Sequence, residues 1–165
     1  MEKLTFAGNE CHTCGDAPKV GSEAPGFNLT GKGLEEIRLE DYRGKRVVLN
    51  IFPSLDTAVC AASVRKFNKS AADLDNTVVL CISQDLPFAM GRFCTTEGLE
   101  NVVTASAFRS PEFGADYGLI IEDGPLRGLL ARCVIIVDEN GKVIYRDLVK
   151  EITEEPDYTA AIHAL

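Results

Sequence analysis

Arg46-Val-Val-Leu-Asn-Ile-Phe52, closed by Pro53 and followed by Ser54-Leu-Asp-Thr57-Ala-Val-Cys60, is the stretch that decides the architecture. Its first half is a continuous β-branched and apolar run, as in a strand covered on both faces. Beyond it, Val64, Phe67, Ala71 and Leu74 recur at spacings of three and four, so a helix with one apolar stripe begins near Cys60. Working outward, Thr77-Val-Val-Leu-Cys-Ile82 reads as a second buried strand, and Leu86 to Thr95 as a helix that tolerates Pro87 in its first turn. Val102-Val-Thr104 is a short strand, and Glu112 to Tyr117 a short helical piece. Ala131 to Val137 is a third strong strand, turned by Asp138-Glu-Asn-Gly141 into a hairpin partner over Lys142 to Val149. Glu155 to Leu165 closes the chain as a helix. This order predicts an α/β protein with a mixed central sheet flanked by helices. The first forty residues, punctuated by Gly8, Gly15, Gly21, Gly26, Gly31 and Gly33, read as hairpin and loop material laid against one domain spanning 1–165, with an irregular N-terminal hairpin region over 1–20.

The 165 residues carry 17 Lys+Arg against 25 Asp+Glu, a formal charge of -8. A hydrophobic share of 45% with 25% charged residues is that of a chain able to build a core, which argues against disorder. The acidic balance disfavours nucleic acid and anionic membranes, both of which need a basic face. No apolar run approaches the ~20 residues of a membrane span, and the first twenty residues lack the apolar segment of a secretory signal. The expected compartment is the cytoplasm.

In that reducing setting, Cys11, Cys14, Cys60, Cys81, Cys94 and Cys133 do not imply a disulfide framework. Cys60 is the distinctive one. It follows the carboxyl end of a buried strand, where sites of open α/β sheets gather, and it falls in the first turn of a helix. Free backbone N–H groups and the positive end of the helix dipole both favour thiolate, the reactive form of the thiol. Thr57 can hold its hydroxyl close to that sulfur, and Pro53 can wall the site from water. The plain alternative is a buried helix-start Cys acting as a small hydrophobe, and position alone leaves both open.

Pro53-x-x-x-Thr57-x-x-Cys60 resembles the active-site motif of the peroxiredoxins. The longer run Asn50 to Phe67 is similar to the bacterial thiol peroxidase branch, an atypical two-cysteine group. So are Asp75 to Ser83, Asp85-Leu-Pro-Phe-Ala89, Arg92-Phe-Cys94, Val137-Asp-Glu-Asn140 and Glu151 to Tyr158. The resemblance implies a thioredoxin-like fold and an enzyme that reduces hydrogen peroxide and alkyl hydroperoxides. It implies Cys60 as the peroxidatic thiol, Cys94 as the resolving thiol in the same chain, and Arg132 as the active-site arginine. A thioredoxin-like reductant and a homodimer follow from the same likeness, with no cofactor and no metal. The chemistry is coherent: thiolate attack on an O–O bond loads negative charge onto the departing oxygen, which an arginine and a hydroxyl can stabilise. The oxidised sulfur, a sulfenic acid, then condenses with a nearby thiol.

Other residues read more plainly. Arg132 opens a strong strand, where a charge is out of pattern, and Cys133 should face the opposite side. Cys81 and Cys133, each inside an apolar strand, read as inert core thiols. Cys11-His-Thr-Cys14 departs from the family; one C-x-x-C with His12 leaves a zinc ligand pair, a reversible disulfide and a plain surface turn open. Asp85, Glu97 and Glu100 read as a solvated helix face. Two other functions compete with the peroxidase. A thiol–disulfide oxidoreductase normally carries C-x-x-C at the helix start, but here the sequence is Cys60-Ala-Ala-Ser63. A non-enzymatic peroxide sensor, or redox-regulated interaction module, would oxidise once without turnover.

Overall fold

A computed structural model describes residues 1–165. Its centre is a sheet of seven strands: β3 (Asn28–Gly31), β4 (Glu36–Arg38), β5 (Arg46–Ile51), β6 (Thr77–Ser83), β7 (Val103–Ser106), β8 (Cys133–Val137) and β9 (Val143–Leu148). They lie side by side in the order β4-β3-β7-β6-β5-β8-β9. β5, β6 and β7 run parallel, because the connections from β5 to β6 and from β6 to β7 are crossovers that contain a helix; the outer strands are antiparallel. The helices are α1 (Ala58–Ala71), α2 (Pro87–Glu97), α3 (Pro111–Asp116) and α4 (Tyr158–His163). A separate antiparallel pair, β1 (Lys3–Phe6) and β2 (Asn9–His12), precedes them.

Strand alternation divides the core into two layers. Val47, Leu49 and Ile51 point to one side with Leu80, Ile82, Cys133, Ile135 and Phe113. Val48 and Phe52 point to the other with Val79, Cys81, Val134, Ile136 and the α1 residues Cys60, Val64 and Phe67. Cys133 and Cys60 therefore lie on opposite sides of the sheet. The α1 stripe runs through Val64 and Phe67 as its spacing predicts, while Leu74 falls past the helix end in a turn.

Three features differ from the expectations. Asn28–Gly31 and Glu36–Arg38 do not merely lie against the sheet; β3 pairs with β7 and extends it, with β4 on the edge. The last helix is shorter than predicted, since Pro156 precedes it and the Asp157 side chain caps it by accepting from the Ala160 N–H at 3.0 Å. Arg132 stands one residue before β8, so it is not a strand residue at all.

The N-terminal hairpin is tied down by polar contacts. His12 Nδ1 lies 2.7 Å from Asp123 Oδ2 and its Nε2 lies 3.1 Å from Glu10 Oε1, while the Glu122 N–H donates to the His12 carbonyl at 2.8 Å. Cys11 is in the core opposite Leu4, and the Cys14 sulfur lies 3.7 Å from the Gly114 carbonyl. The two thiols are unpaired, and the His12 ring is turned to carboxylates. The hydrogen bond with Asp123 raises the imidazole pKa, partly opposed by desolvation. A raised folded value contributes stability that is complete below the unfolded value of ~6.5 and lost as pH climbs through the folded one. The exchange protection of the Glu122 amide should therefore decline on the alkaline side in the wild type but not in His12→Asn. A flat wild-type profile would remove the imidazolium charge from this clamp.

Candidate active site

The site is built at the carboxyl end of β5, where Pro53 stops the strand and the chain enters α1. Thr57 is the residue before α1, with extended backbone angles, and Cys60 is the third helical residue. No side chain caps this helix start, so the N–H groups of its first turn stay free of competing side-chain acceptors near the Cys60 sulfur. The Thr57 hydroxyl donates to the Ser54 carbonyl at 3.0 Å, which leaves its lone pairs open to a donor arriving from the pocket.

Cys60 is fully buried, yet its sulfur meets a charge: Arg132 Nη2 donates to Cys60 Sγ at 3.3 Å. Arg132 is itself only 2% exposed. Its Nε donates to the Ile152 carbonyl at 3.0 Å, which fixes the guanidinium plane, and its Nη1 is buried without a partner. A buried guanidinium with one unsatisfied N–H group is costly unless an acceptor visits it. Pro53, Thr57 and Arg132 line one cavity of about 160 Å³. Its other walls include Val59, next to Cys60 in α1, and apolar side chains from distant parts of the chain: Phe6 from β1, Leu126 and Ile152. The sequence reading named none of the three distant residues as part of the site, since no local pattern marks residues that converge only through the tertiary fold.

Glu151 stitches two of those walls together. Its carboxylate accepts from the Gly8 N–H at 2.8 Å, the Thr5 hydroxyl at 3.0 Å and the Thr153 N–H at 3.0 Å. These donors, the Thr153 amide first, hold it down to about 2. Phe6 and Ile152, the residues after bridged Thr5 and Glu151, both line the pocket.

Cys94 is elsewhere. It lies in the last turn of α2, 5% exposed, and lines a different depression with Lys32, Glu35, Val102, Val103 and Thr104. Burial pushes its thiol pKa up, with Lys32 pulling against that. All six cysteines are unpaired, so the sulfurs of Cys60 and Cys94 are not joined in this arrangement. Cys81 and Cys133 are completely buried, and desolvation pushes each up to about 12, which keeps both protonated at neutral pH.

Asp85 was misjudged in the sequence. It is not on a helix face: it lies between β6 and α2, and its carboxylate accepts from Ser54 Oγ at 2.7 Å, the Leu55 N–H at 2.8 Å and Ser83 Oγ at 2.6 Å. The available signal was Ser83-Gln-Asp85 at the carboxyl end of a buried strand, two residues before a Pro that opens a helix. Glu97 does face solvent, in a two-pronged pair with Arg65 that joins α2 to α1.

The redoxin family pattern matches residues 19–162. A thiol peroxidase of Corynebacterium glutamicum is 60% identical over 165 residues, covering 100% of this chain and 99% of that one. A thiol peroxidase of Mycobacterium tuberculosis is 54% identical over the same span, again with 100% and 99% coverage. Among solved structures, a peroxiredoxin-like protein from Aquifex aeolicus superposes with a TM-score of 0.94 at 39% identity, over 99% of this chain and 95% of that one. End-to-end identity to thiol peroxidases, the redoxin match and this shared fold agree with one another: the chain belongs to the redoxin family, among the thiol peroxidases.

Proposed function

We propose that the chain is a thiol-dependent peroxidase in which Cys60 is the peroxidatic thiol and Cys94 the resolving thiol. The observation that carries this reading is the contact of Arg132 with the Cys60 sulfur, beside an orphaned Nη1 group at the wall of a small apolar cavity. A hydroperoxide seated there meets a thiolate and a fixed donor together. The thiolate attacks one peroxide oxygen, the O–O bond breaks, and the departing oxygen takes up negative charge and then a proton to leave as water or an alcohol. Arg132 stabilises that charge as it develops, and the Thr57 hydroxyl accepts from the bound hydroperoxide O–H. Pro53 shields the sulfur from bulk water. The sulfenic acid left on Cys60 is attacked by the Cys94 thiolate; an S–S bond forms, the S–O bond breaks, and the oxygen leaves as water. A dithiol protein of the thioredoxin type returns the pair to thiols by exchange.

The thiol–disulfide oxidoreductase reading has less support. The position that would carry its second thiol is Ser63, whose hydroxyl donates to the Cys60 carbonyl inside the helix at 2.8 Å. The cytoplasm is the compartment that suits a cycle dependent on a thiol reductant; no helix is long and apolar enough to cross a membrane. A homodimer is supported by Leu86, Phe88 and Phe108, which are 52%, 67% and 42% exposed and lie within three residues of the Ser106–Asp85 hydrogen bond. Such a cluster of large apolar side chains marks a contact surface.

Arg132→Met tests the reading at its centre. Removing one preorganised donor from a developing oxyanion slows a reaction by ~10²–10³-fold, so rapid-quench oxidation of Cys60 by one equivalent of hydroperoxide should slow by that order. An unchanged rate would take Arg132 out of the reaction.

A further inference from the structure

The bonds that hold the Cys60 segment in place fall into two kinds. The Thr57 N–H and hydroxyl both donate to the Ser54 carbonyl, and the Asp56 N–H donates to Ser54 Oγ. These are internal to the loop and would travel with it. Bonds such as Ser63 Oγ to the Cys60 carbonyl and the Ala61 N–H to the Thr57 carbonyl belong to α1 itself; beyond that helix, the polar ties from residues 54–60 to the rest of the molecule come from two side chains. One is Arg132, on the Cys60 sulfur. The other is Asp85, which accepts from both Ser54 Oγ and the Leu55 N–H.

Asp85 is placed at the root of the other reactive segment as well. Its own N–H donates to Ser83 Oγ at 3.1 Å and its carbonyl accepts from Ser106 Oγ, so its backbone is pinned to the ends of β6 and β7. Two positions later Pro87 opens α2, which carries Cys94. A single carboxylate thus joins the loop before Cys60 to the point from which the Cys94 helix departs. Hydrogen bonds to an ionised acceptor are roughly twice as strong as neutral ones, and this group is partly buried, which limits screening.

We propose that Asp85 is a latch: a positioning residue that holds the Ser54–Thr57 loop in the arrangement that reacts with peroxide, and whose release sets the rate of disulfide formation. The proposal rests on the assignment of Cys60 and Cys94 as the reacting pair. A disulfide needs Cα atoms ~4.4–6.8 Å apart, yet Cys60 is buried in the first turn of α1 while Cys94 lines a separate depression at the end of α2. The loop has to detach for the sulfurs to meet. Oxidation of Cys60 changes the group that Arg132 holds, but it leaves the Asp85 tie intact. The latch therefore fixes how long the sulfenic acid stays in the peroxide pocket. During that time a second hydroperoxide can convert it to sulfinic acid, releasing another water or alcohol; once the loop is free, Cys94 displaces the oxygen as water.

Asp85→Asn and Ser54→Ala weaken the tie from its two ends, and Ser54→Ala removes only a hydroxyl. The chain has no Trp, so both steps are best followed by rapid quench with thiol alkylation and mass spectrometry, using hydrogen peroxide. Each variant should form sulfenic acid more slowly and the Cys60–Cys94 linkage faster. The ratio of the two rates should shift by ~10-fold, the size of one charge-assisted hydrogen bond, and the peroxide concentration giving half sulfinic acid per turnover should rise to match. Ile37→Val, a small core truncation in β4 at the far edge of the sheet, should move neither rate. Opposite movement of the two rates is the signature of a latch. Unchanged rates, or rates that fall together, would overturn it while the wild type still forms the linkage. A wild type that never links Cys60 to Cys94 would overturn the functional assignment and the latch together.

Discussion

Cys60→Ser should lose peroxidase turnover by ~10⁴-fold or more, the scale seen when a nucleophile is deleted from a site whose groups act as a unit. The reason lies in the sulfur itself. A serine hydroxyl in the same place stays protonated at neutral pH, and its oxygen cannot be oxidised to a sulfenic acid equivalent. Arg132 and the pocket would remain, so binding without chemistry is the residual state. Cys81→Ser and Cys133→Ser supply the contrast. Both thiols are completely buried and pushed up to about 12, which leaves them without a thiolate to offer. Turnover should stay within about twofold of the wild type in both, since neither thiol contributes to the reacting charge. Stability should fall, by about 1–3 kcal/mol where the new hydroxyl finds no partner. Cys81→Ser should fall less, because Asn50 Nδ2 already sits 3.7 Å from that sulfur and can donate to an oxygen. A coupled assay with thioredoxin, its reductase and NADPH measures all three variants. Retention of most activity by Cys60→Ser would end the assignment.

Cys94→Ser separates the two halves of the cycle. Its pocket at Cys60 is untouched, so one equivalent of hydroperoxide should still be consumed at the wild-type rate. Turnover supported by thioredoxin should then fall to background, because no partner thiol removes the oxygen from Cys60. The sulfenic acid persists, and excess hydroperoxide drives it up the oxidation ladder to sulfinic acid, which thiols do not reverse. The readouts are the burst amplitude, the steady-state rate and the mass added at Cys60. A variant with normal steady-state turnover would show that another group resolves the sulfenic acid.

The parts of this fold legible in the sequence are those where neighbours in the chain carry the signal. Arg46 to Phe52 declares a buried strand by composition, and Val64 and Phe67 declare the α1 stripe by spacing. The β3–β4 hairpin was not legible as sheet because its strands have only four and three residues, and β3 earns its place by pairing with β7, more than seventy positions later. Arg132 was conspicuous as a charge beside an apolar run, but only the fold turns it onto Cys60, 72 positions away. Asp85 shows the converse. Its place between a buried strand and a helix-opening Pro is legible nearby, but its donors at Ser54 and Leu55 lie 31 and 30 positions upstream, so its bonding role is not. The pocket walls Phe6, Leu126 and Ile152 are ordinary apolar residues until the hairpin, the loop after β2's partner Asp123 and the Glu151 turn bring them together.

The most direct measurement is peptide mapping after treatment of the reduced wild-type protein with one equivalent of hydroperoxide. The account predicts a single dominant product in which the Cys60 peptide is linked to the Cys94 peptide within one chain, with Cys81 and Cys133 still thiols. A dominant link from Cys60 to Cys11, to Cys14 or to a second chain would contradict the resolving role of Cys94. Oxidation that spares Cys60 altogether would contradict the account at its root.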